Sequence, residues 1–165
     1  MTPPGPVRFV DLPPMLLAGL RRHHGFADAG ATIAAQWADF RAAGEPPGAV
    51  PGVAYGVICG AGEGGFEYLS GMQVPDFTAL PPGLGRMRVP AQHYAVFEHR
   101  GPVAGLQETW RQALEEWLPG SGYRSAERPD FERYDARFDP ATGRGLVEVF
   151  VGVVGRGGSR SCNGG

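Results

Sequence analysis

The sequence predicts an α+β fold in which two strand-helix-strand-strand halves, related by a pseudo-twofold axis, form a mostly antiparallel sheet with two long helices on one face. Three observations support this class: two amphipathic helical patterns, several alternating strand patterns, and short matches that recur in the same order in both halves of the 165-residue chain. A hydrophobic fraction of 42% suffices for one core. The 27 glycines and 16 prolines fall mainly between the patterned segments and mark loops.

Two segments have the apolar spacing of helices that pack on a sheet. The first covers residues 32–43, and its apolar positions are Ile33, Trp37 and Phe40. The second covers residues 102–118 and begins at Pro102, a residue suited to a first helical turn. Its apolar positions are Val103, Leu106, Trp110, Leu114 and Trp117.

The strongest strand pattern covers residues 146–154, Leu-Val-Glu-Val-Phe-Val-Gly-Val-Val. Alternation places four valines on one face, which suits packing against helices, and places Glu148 and Phe150 on the other face. A carboxylate beside an aromatic ring suits a pocket wall, although an ordinary half-exposed surface glutamate explains the same pattern. The remaining predicted strands cover residues 8–10, 15–20, 53–59, 66–74, 91–99 and 131–138.

The two halves match in order, which predicts an internal duplication. A His-containing turn precedes each helix, Trp37 and Trp110 take matching helix positions, and Glu67 matches Glu148. The organisation that follows is a loose N-terminus at 1–6, one domain at 7–154 with halves of about 7–75 and 86–154, and a flexible tail at 155–165.

Charge and composition exclude several function classes. A net charge of −2 and the lack of a basic stripe or a DNA-reading helix argue against nucleic-acid binding. No apolar run is long enough to span a membrane and no signal peptide is evident, so we expect a cytoplasmic protein. Cys59 and Cys162 form no disulfide framework. The four histidines lack metal-ligand spacing, and we predict neither a metal nor a cofactor; His23 and His24 are interpreted as a solvated pair.

The chain resembles the GyrI-like small-molecule-binding family, also called the AraC effector-binding domain, over roughly residues 7–154. The resemblance rests on six stretches in order: Phe66 to Val74, Leu80 to Gly83, Val89 to Gly101, Trp117 to Tyr123, Pro129 to Asp135, and Val147 to Val151. It departs from the family at Gly152, where a proline is frequent, and at Gln73, where an acid is common. The resemblance implies binding of lipophilic, often cationic, compounds between aromatic rings and an acidic residue, which it assigns to Glu148.

The candidate ligand-binding residues combine two acids with six aromatic side chains. They are Glu148, Phe150, Trp37, Trp110, Tyr55, Tyr94, Tyr134 and Glu67. The tryptophans fit a core position as well as a cleft wall, and Glu67 fits a solvated surface as well as a ligand site. Asp130, Glu132 and Asp135 are interpreted as surface or turn acids.

Two functions are consistent with this pattern. The first is a stand-alone sensor or sequestering protein for a small lipophilic, cationic compound. The alternative is a hydrolase of strained cyclopropane-containing toxins, as the resemblance implies for some members, with Glu148 and an aromatic hydroxyl such as that of Tyr134 in catalysis. A weaker third reading is inhibition of a protein partner.

Overall fold

A computed structural model describes residues 5–155 of the chain. The predicted loose N-terminus and flexible tail fall almost entirely on residues 1–4 and 156–165, outside the described residues. Cys162 also lies outside them.

The described chain alternates strands with two helical segments. The strands are β1 (Arg8–Leu12), β2 (Met15–His24), β3 (Ala54–Gly62), β4 (Gly65–Gln73), β5 (Gly85–Val89), β6 (Gln92–Pro102), β7 (Arg124–Ser125), β8 (Asp130–Asp139) and β9 (Arg144–Val154). Every predicted strand is present. The short strands β5 and β7 were not predicted, because five and two residues are too few to show a clear alternation.

The strands pair in the order β1-β6-β9-β8-β3-β4-β2-β5, and all pairs are antiparallel; β7 adds to β9. Read outward from the central β3–β8 pair, one side runs β4, β2, β5 and the other runs β9, β6, β1. The strand order is therefore the same on both sides of the centre. Each edge strand directly precedes, in the chain, a strand of the opposite side: β1 precedes β2 but pairs with β6, and β5 precedes β6 but pairs with β2.

Both helical segments lie on one face of the sheet. The first, α1 (Ala29–Ala43), packs on β2 and β4. The second comprises a 3-10 turn (Val103–Gly105), α2 (Leu106–Arg111), a π-helical stretch (Gln112–Trp117) and the final turn α3 (Leu118–Gly120). Both predicted helices are thus present, and the second contains a π-helical widening that apolar spacing does not reveal.

The two faces of the sheet carry separate buried clusters. On the helix side, four of the five valines of β9 pack with Leu106 and Trp110; they are Val147, Val149, Val151 and Val153. On the opposite face, Phe150 packs with Phe131, Tyr94 and residues of the edge strands β1 and β5. The alternation predicted for β9 is confirmed, since its valines face the helices and Phe150 does not.

Polar side chains join α1 to the sheet. The side-chain oxygen of the fully buried Gln36 accepts a hydrogen bond from His24 Nε2 at 2.6 Å. Its side-chain nitrogen donates to the carbonyl oxygens of Leu20 and Tyr68 and to Ser70 Oγ. The interpretation of His24 as a solvated residue was wrong: it is 2% exposed. Long-range pairing of β2 with β4 brings it under α1, which no local pattern encodes.

Candidate functional site

A buried carboxylate lies near the centre of the sheet, on the helix side. Glu132 of β8 is 6% exposed. Its Oε1 accepts hydrogen bonds from the hydroxyls of Tyr68 and Tyr134, each at 2.7 Å, and its Oε2 accepts one from Trp110 Nε1 at 2.9 Å. Trp37 Nε1 donates to the Tyr68 hydroxyl at 3.0 Å. We call these five residues the Glu132 cluster.

Strand register creates the space that this cluster occupies. In the central β3–β8 pair, Gly56 lies opposite Glu132. A Cβ at Gly56 would lie 2.6 Å from Glu132 Oε1 and closer still to the Tyr68 hydroxyl. Glycine at this position therefore leaves room for the carboxylate and the phenol to meet across the strands.

Burial controls the proton affinities of the Glu132 cluster. It raises the pKa of Glu132, while the hydrogen bonds from Tyr134, Tyr68 and Trp110 act in the opposite direction. Burial and the nearby carboxylate raise the pKa of both Tyr68 and Tyr134 well above the ordinary value. The two phenols consequently remain neutral hydrogen-bond donors at neutral pH.

A cavity of about 500 Å³ opens beside this cluster, between α1 and the β8–β9 hairpin. Four aromatic side chains line it: Trp37, Phe40, Tyr134 and Phe138. The Trp37 and Tyr134 rings lie 5.1 Å apart, and Tyr134 and Phe138 lie 5.0 Å apart. We call this space the helix-side cavity. Tyr134 lines this cavity and donates a hydrogen bond to Glu132. The carboxylate therefore lies behind the cavity wall and is joined to it through the Tyr134 hydroxyl.

Glu148 lies on the opposite face of the sheet and is 3% exposed. Its carboxylate contacts three guanidinium groups: Arg8 at 2.7 Å, and Arg133 and Arg137 at 3.2 Å each. Together with Phe150 these residues line a second cavity of about 600 Å³, which we call the arginine cavity.

The structure divides the predicted site residues between these two faces. Trp37 and Tyr134 line the helix-side cavity. Trp110 does not line it and instead donates a hydrogen bond to Glu132. Glu148, Phe150 and Tyr55 line the arginine cavity, and Tyr94 is buried in the apolar cluster of the same face. Glu67 is half-buried on β4 and lines neither cavity. Whether these side chains bind a ligand stays a prediction.

The interpretation of Glu132 as a surface or turn acid was wrong. The only sequence feature that could have predicted its burial is strand alternation. Glu132 and Tyr134 share one face of the strand, and the charged Arg133 between them lies on the other. Asp130 is also partly buried and accepts the Gly152 N–H at 2.7 Å. Asp135, in contrast, is held by Arg137 and Arg133, and these guanidinium groups lower the pKa of its carboxyl.

An open antiparallel sheet with two helices and an aromatic cavity between helix and hairpin is the arrangement of a small-molecule-binding domain. This chain belongs to the GyrI-like family, since the family model described as "GyrI-like small molecule binding domain" matches residues 5–154. The sequence-based resemblance and the α+β fold class are confirmed.

Known relatives extend this finding. The transcriptional regulator BrlR of Pseudomonas aeruginosa is 33% identical over 104 residues, which cover 62% of this chain and 38% of that protein. The chain thus spans less than two-fifths of that regulator. The structure of SAV2435 bound to tetraphenylphosphonium superposes with a TM-score of 0.73 at 18% identity, covering 92% of this chain and 96% of that one. A hydrolase encoded by lin2189 from Listeria innocua superposes at 0.54 and 14% identity, covering 92% and 93%.

No helix among residues 5–155 has the length and apolar character needed to cross a membrane. Within the same residues, no group of three or more His, Cys, Asp or Glu side chains is placed to hold a metal ion.

Proposed function

We propose that this domain binds a lipophilic organic cation in the helix-side cavity. One observation carries the proposal: the Glu132 carboxylate lies directly behind the aromatic wall and receives only O–H and N–H donors. Among the described ion pairs, none involves Glu132. No described Arg or Lys side chain therefore pairs with its charge, on which His99 has only a small effect, and a cation in the cavity would compensate it.

The aromatic lining supports breadth of recognition. A cation over a Trp, Tyr or Phe ring gains about 0.5–2 kcal/mol per contact, depending on desolvation. Four rings of this kind line the cavity, and their faces accept many ligand shapes. Arg41, Glu45 and Asp135 also line the cavity. Several adaptable rings, with the buried acid behind them, favour a class of ligands over a single compound.

The biological role that fits such binding is a sensor or a sequestering, resistance-type protein. SAV2435, which shares the fold, is described with tetraphenylphosphonium bound, and BrlR is a transcriptional regulator. Both likenesses are compatible with a cation-responsive domain.

Isothermal titration with tetraphenylphosphonium and with neutral triphenylphosphine oxide tests the proposal. We expect the cation to bind more tightly, and we expect Trp37→Ala to weaken the cation by about tenfold, because it removes a ring from the cavity wall. Glu67→Gln is the matched control, since it removes an acid that lines neither cavity. Equal affinity for cation and neutral compound would contradict the proposal.

A hydrolytic function is the second candidate, and one observation favours it. Tyr134 lines the aromatic cavity, and its hydroxyl is hydrogen-bonded to a carboxylate at 2.7 Å, a pairing suited to proton transfer. The carboxylate in question is Glu132; Glu148, the acid suggested by the sequence, lies on the opposite face of the sheet from Tyr134. Incubation with a strained cyclopropane-containing compound and product analysis by mass spectrometry tests this, with addition of one water as the expected product.

A further inference from the structure

Neither proposed function uses the arginine cavity. It lies on the face of the sheet opposite the two helical segments, where the edge strand β1 pairs with β6 and brings Arg8 level with Phe150 in the middle of β9. The sheet lies between it and the helix-side cavity, and the two approach each other at Asp135, which lines the helix-side cavity and pairs with Arg133 and Arg137. Three arginines line it, whereas the charged side chains that line the helix-side cavity are Arg41, Glu45 and Asp135.

The charged groups of this cavity sum to a positive value. Three guanidinium groups, those of Arg8, Arg133 and Arg137, line it together with the Glu148 carboxylate. The carboxylate of Asp135, which lines the helix-side cavity, also pairs with two of these arginines. Arg133 and Arg137 each contact both carboxylates, at 2.7 to 3.2 Å. The three arginines and two acids together therefore carry a net charge of +1, and both acids are already ion-paired with arginine.

Arg8 differs from the other two arginines. Its only described carboxylate contact is with Glu148, through one nitrogen at 2.7 Å, and its side chain is 45% exposed. Its guanidinium also lies 5.8 Å from the centre of the Phe150 ring. A guanidinium has five N–H donors, so Arg8 retains an accessible edge that can receive a second anion.

The floor of the cavity is aromatic. Phe150 stacks on Phe131 with ring centres 4.6 Å apart, and Tyr55 meets the edge of Phe131 at 5.6 Å. Phe150 and Tyr55 line the cavity themselves. A flat apolar ring placed here would bury its faces against these side chains while its substituent reaches the arginines.

We propose that the arginine cavity binds a planar aromatic anion, with the ring against Phe150 and Tyr55 and the carboxylate or sulfonate on Arg8 and Arg137. The geometry disfavours a cation in this position, because a cation would have to displace Arg8 from Glu148 and would then face the two remaining guanidinium groups. The domain would thus hold ligands of opposite charge on the two faces of one sheet.

Isothermal titration of the full chain with 2-naphthoate, and with 2-naphthylmethylammonium as the cation of matched shape, tests this. We expect 2-naphthoate to bind at one site and Arg8→Gln to weaken it about five- to tenfold, through loss of a partly exposed charged hydrogen bond. Glu148→Gln removes the competing negative charge and should tighten it. Arg22→Gln, a half-exposed arginine paired with Asp39 far from the cavity, is the matched control and should leave the affinity unchanged.

Thermal unfolding of each variant separates loss of binding from loss of folding, and Arg137→Gln provides a second test if Glu148→Gln is unstable. Retention of 2-naphthoate binding in saturating tetraphenylphosphonium would support a site apart from the helix-side cavity. The proposal is overturned if 2-naphthoate shows no saturable binding, if Arg8→Gln and Arg137→Gln both bind it normally, or if the cationic analogue occupies this cavity and is strengthened by Arg8→Gln.

Discussion

Replacing Glu132 with Gln tests whether a buried charge selects the ligand in the helix-side cavity. The amide keeps the size of the carboxylate and removes its charge. We expect the affinity for tetraphenylphosphonium to fall much more than the affinity for neutral triphenylphosphine oxide, because the neutral compound depends on apolar contact alone.

The expected magnitude follows from the hydrogen bond that joins Glu132 to the cavity wall. The carboxylate lies 2.7 Å from the Tyr134 hydroxyl. A cation resting on the Tyr134 ring would be roughly 8 Å from the carboxylate, and two unit charges at that distance in an effective dielectric of about 20 interact by ~2 kcal/mol. This corresponds to about thirtyfold in affinity when Glu132 is fully ionised and to less when it is partly protonated.

The same charge predicts a pH dependence of binding. Burial raises the pKa of Glu132 above its ordinary value of 4.5. A bound cation favours the ionised form, so binding lowers this pKa and releases a proton. Cation affinity should therefore rise as the pH increases from about 4.5 through the raised pKa of the free protein. The rise should be absent in Glu132→Gln.

The assay is isothermal titration of both compounds with both proteins across this pH range. Urea unfolding accompanies it, because the amide N–H₂ group meets a hydrogen-bond donor of the cluster and is expected to cost about 1–3 kcal/mol of stability. A similar loss for the cation and the neutral compound, or an unchanged pH profile in the variant, would refute charge recognition and assign Glu132 a structural role.

Three further predictions concern stability. Gln36→Leu should lower the free energy of unfolding by about 2–4 kcal/mol in urea titration, because it leaves several buried polar groups without a partner; an unchanged midpoint would contradict this. Burial raises the pKa of Asp130 to about 6, so its contribution to stability is complete below about pH 4 and is lost as the pH rises through 6, by roughly 2–3 kcal/mol. Asp130→Asn should accordingly stabilise the fold at pH 7 and remove that part of the pH dependence, as thermal unfolding between pH 4 and 8 would report. Gly56→Ala should displace the Tyr68 hydroxyl from Glu132, weaken cation binding and lower the melting temperature, whereas normal binding and stability would show that the strands adjust.

Local pattern was sufficient for the fold class. Alternation in β9 correctly assigned its valines to the helix side and Phe150 to the other face, and apolar spacing located both helices. These predictions succeed because they depend on the period of a single element, which neighbouring residues in the chain define. Apolar spacing also selected Trp37, which lines the helix-side cavity. Tyr134, which lines it too, was selected for its aromatic ring and hydroxyl and not for its spacing.

The identity of the central acid depended on which strands become neighbours. Glu132 is buried because Gly56 of β3 lies opposite it, and because Tyr68 and Trp110 approach from two other elements. Glu148 has the more conspicuous sequence context, yet β1 and β8 supply arginines that neutralise it. Burial and charge of a side chain are sums over contacts from distant parts of the chain. Strand pairing establishes those contacts, and an alternating pattern in one strand does not contain them.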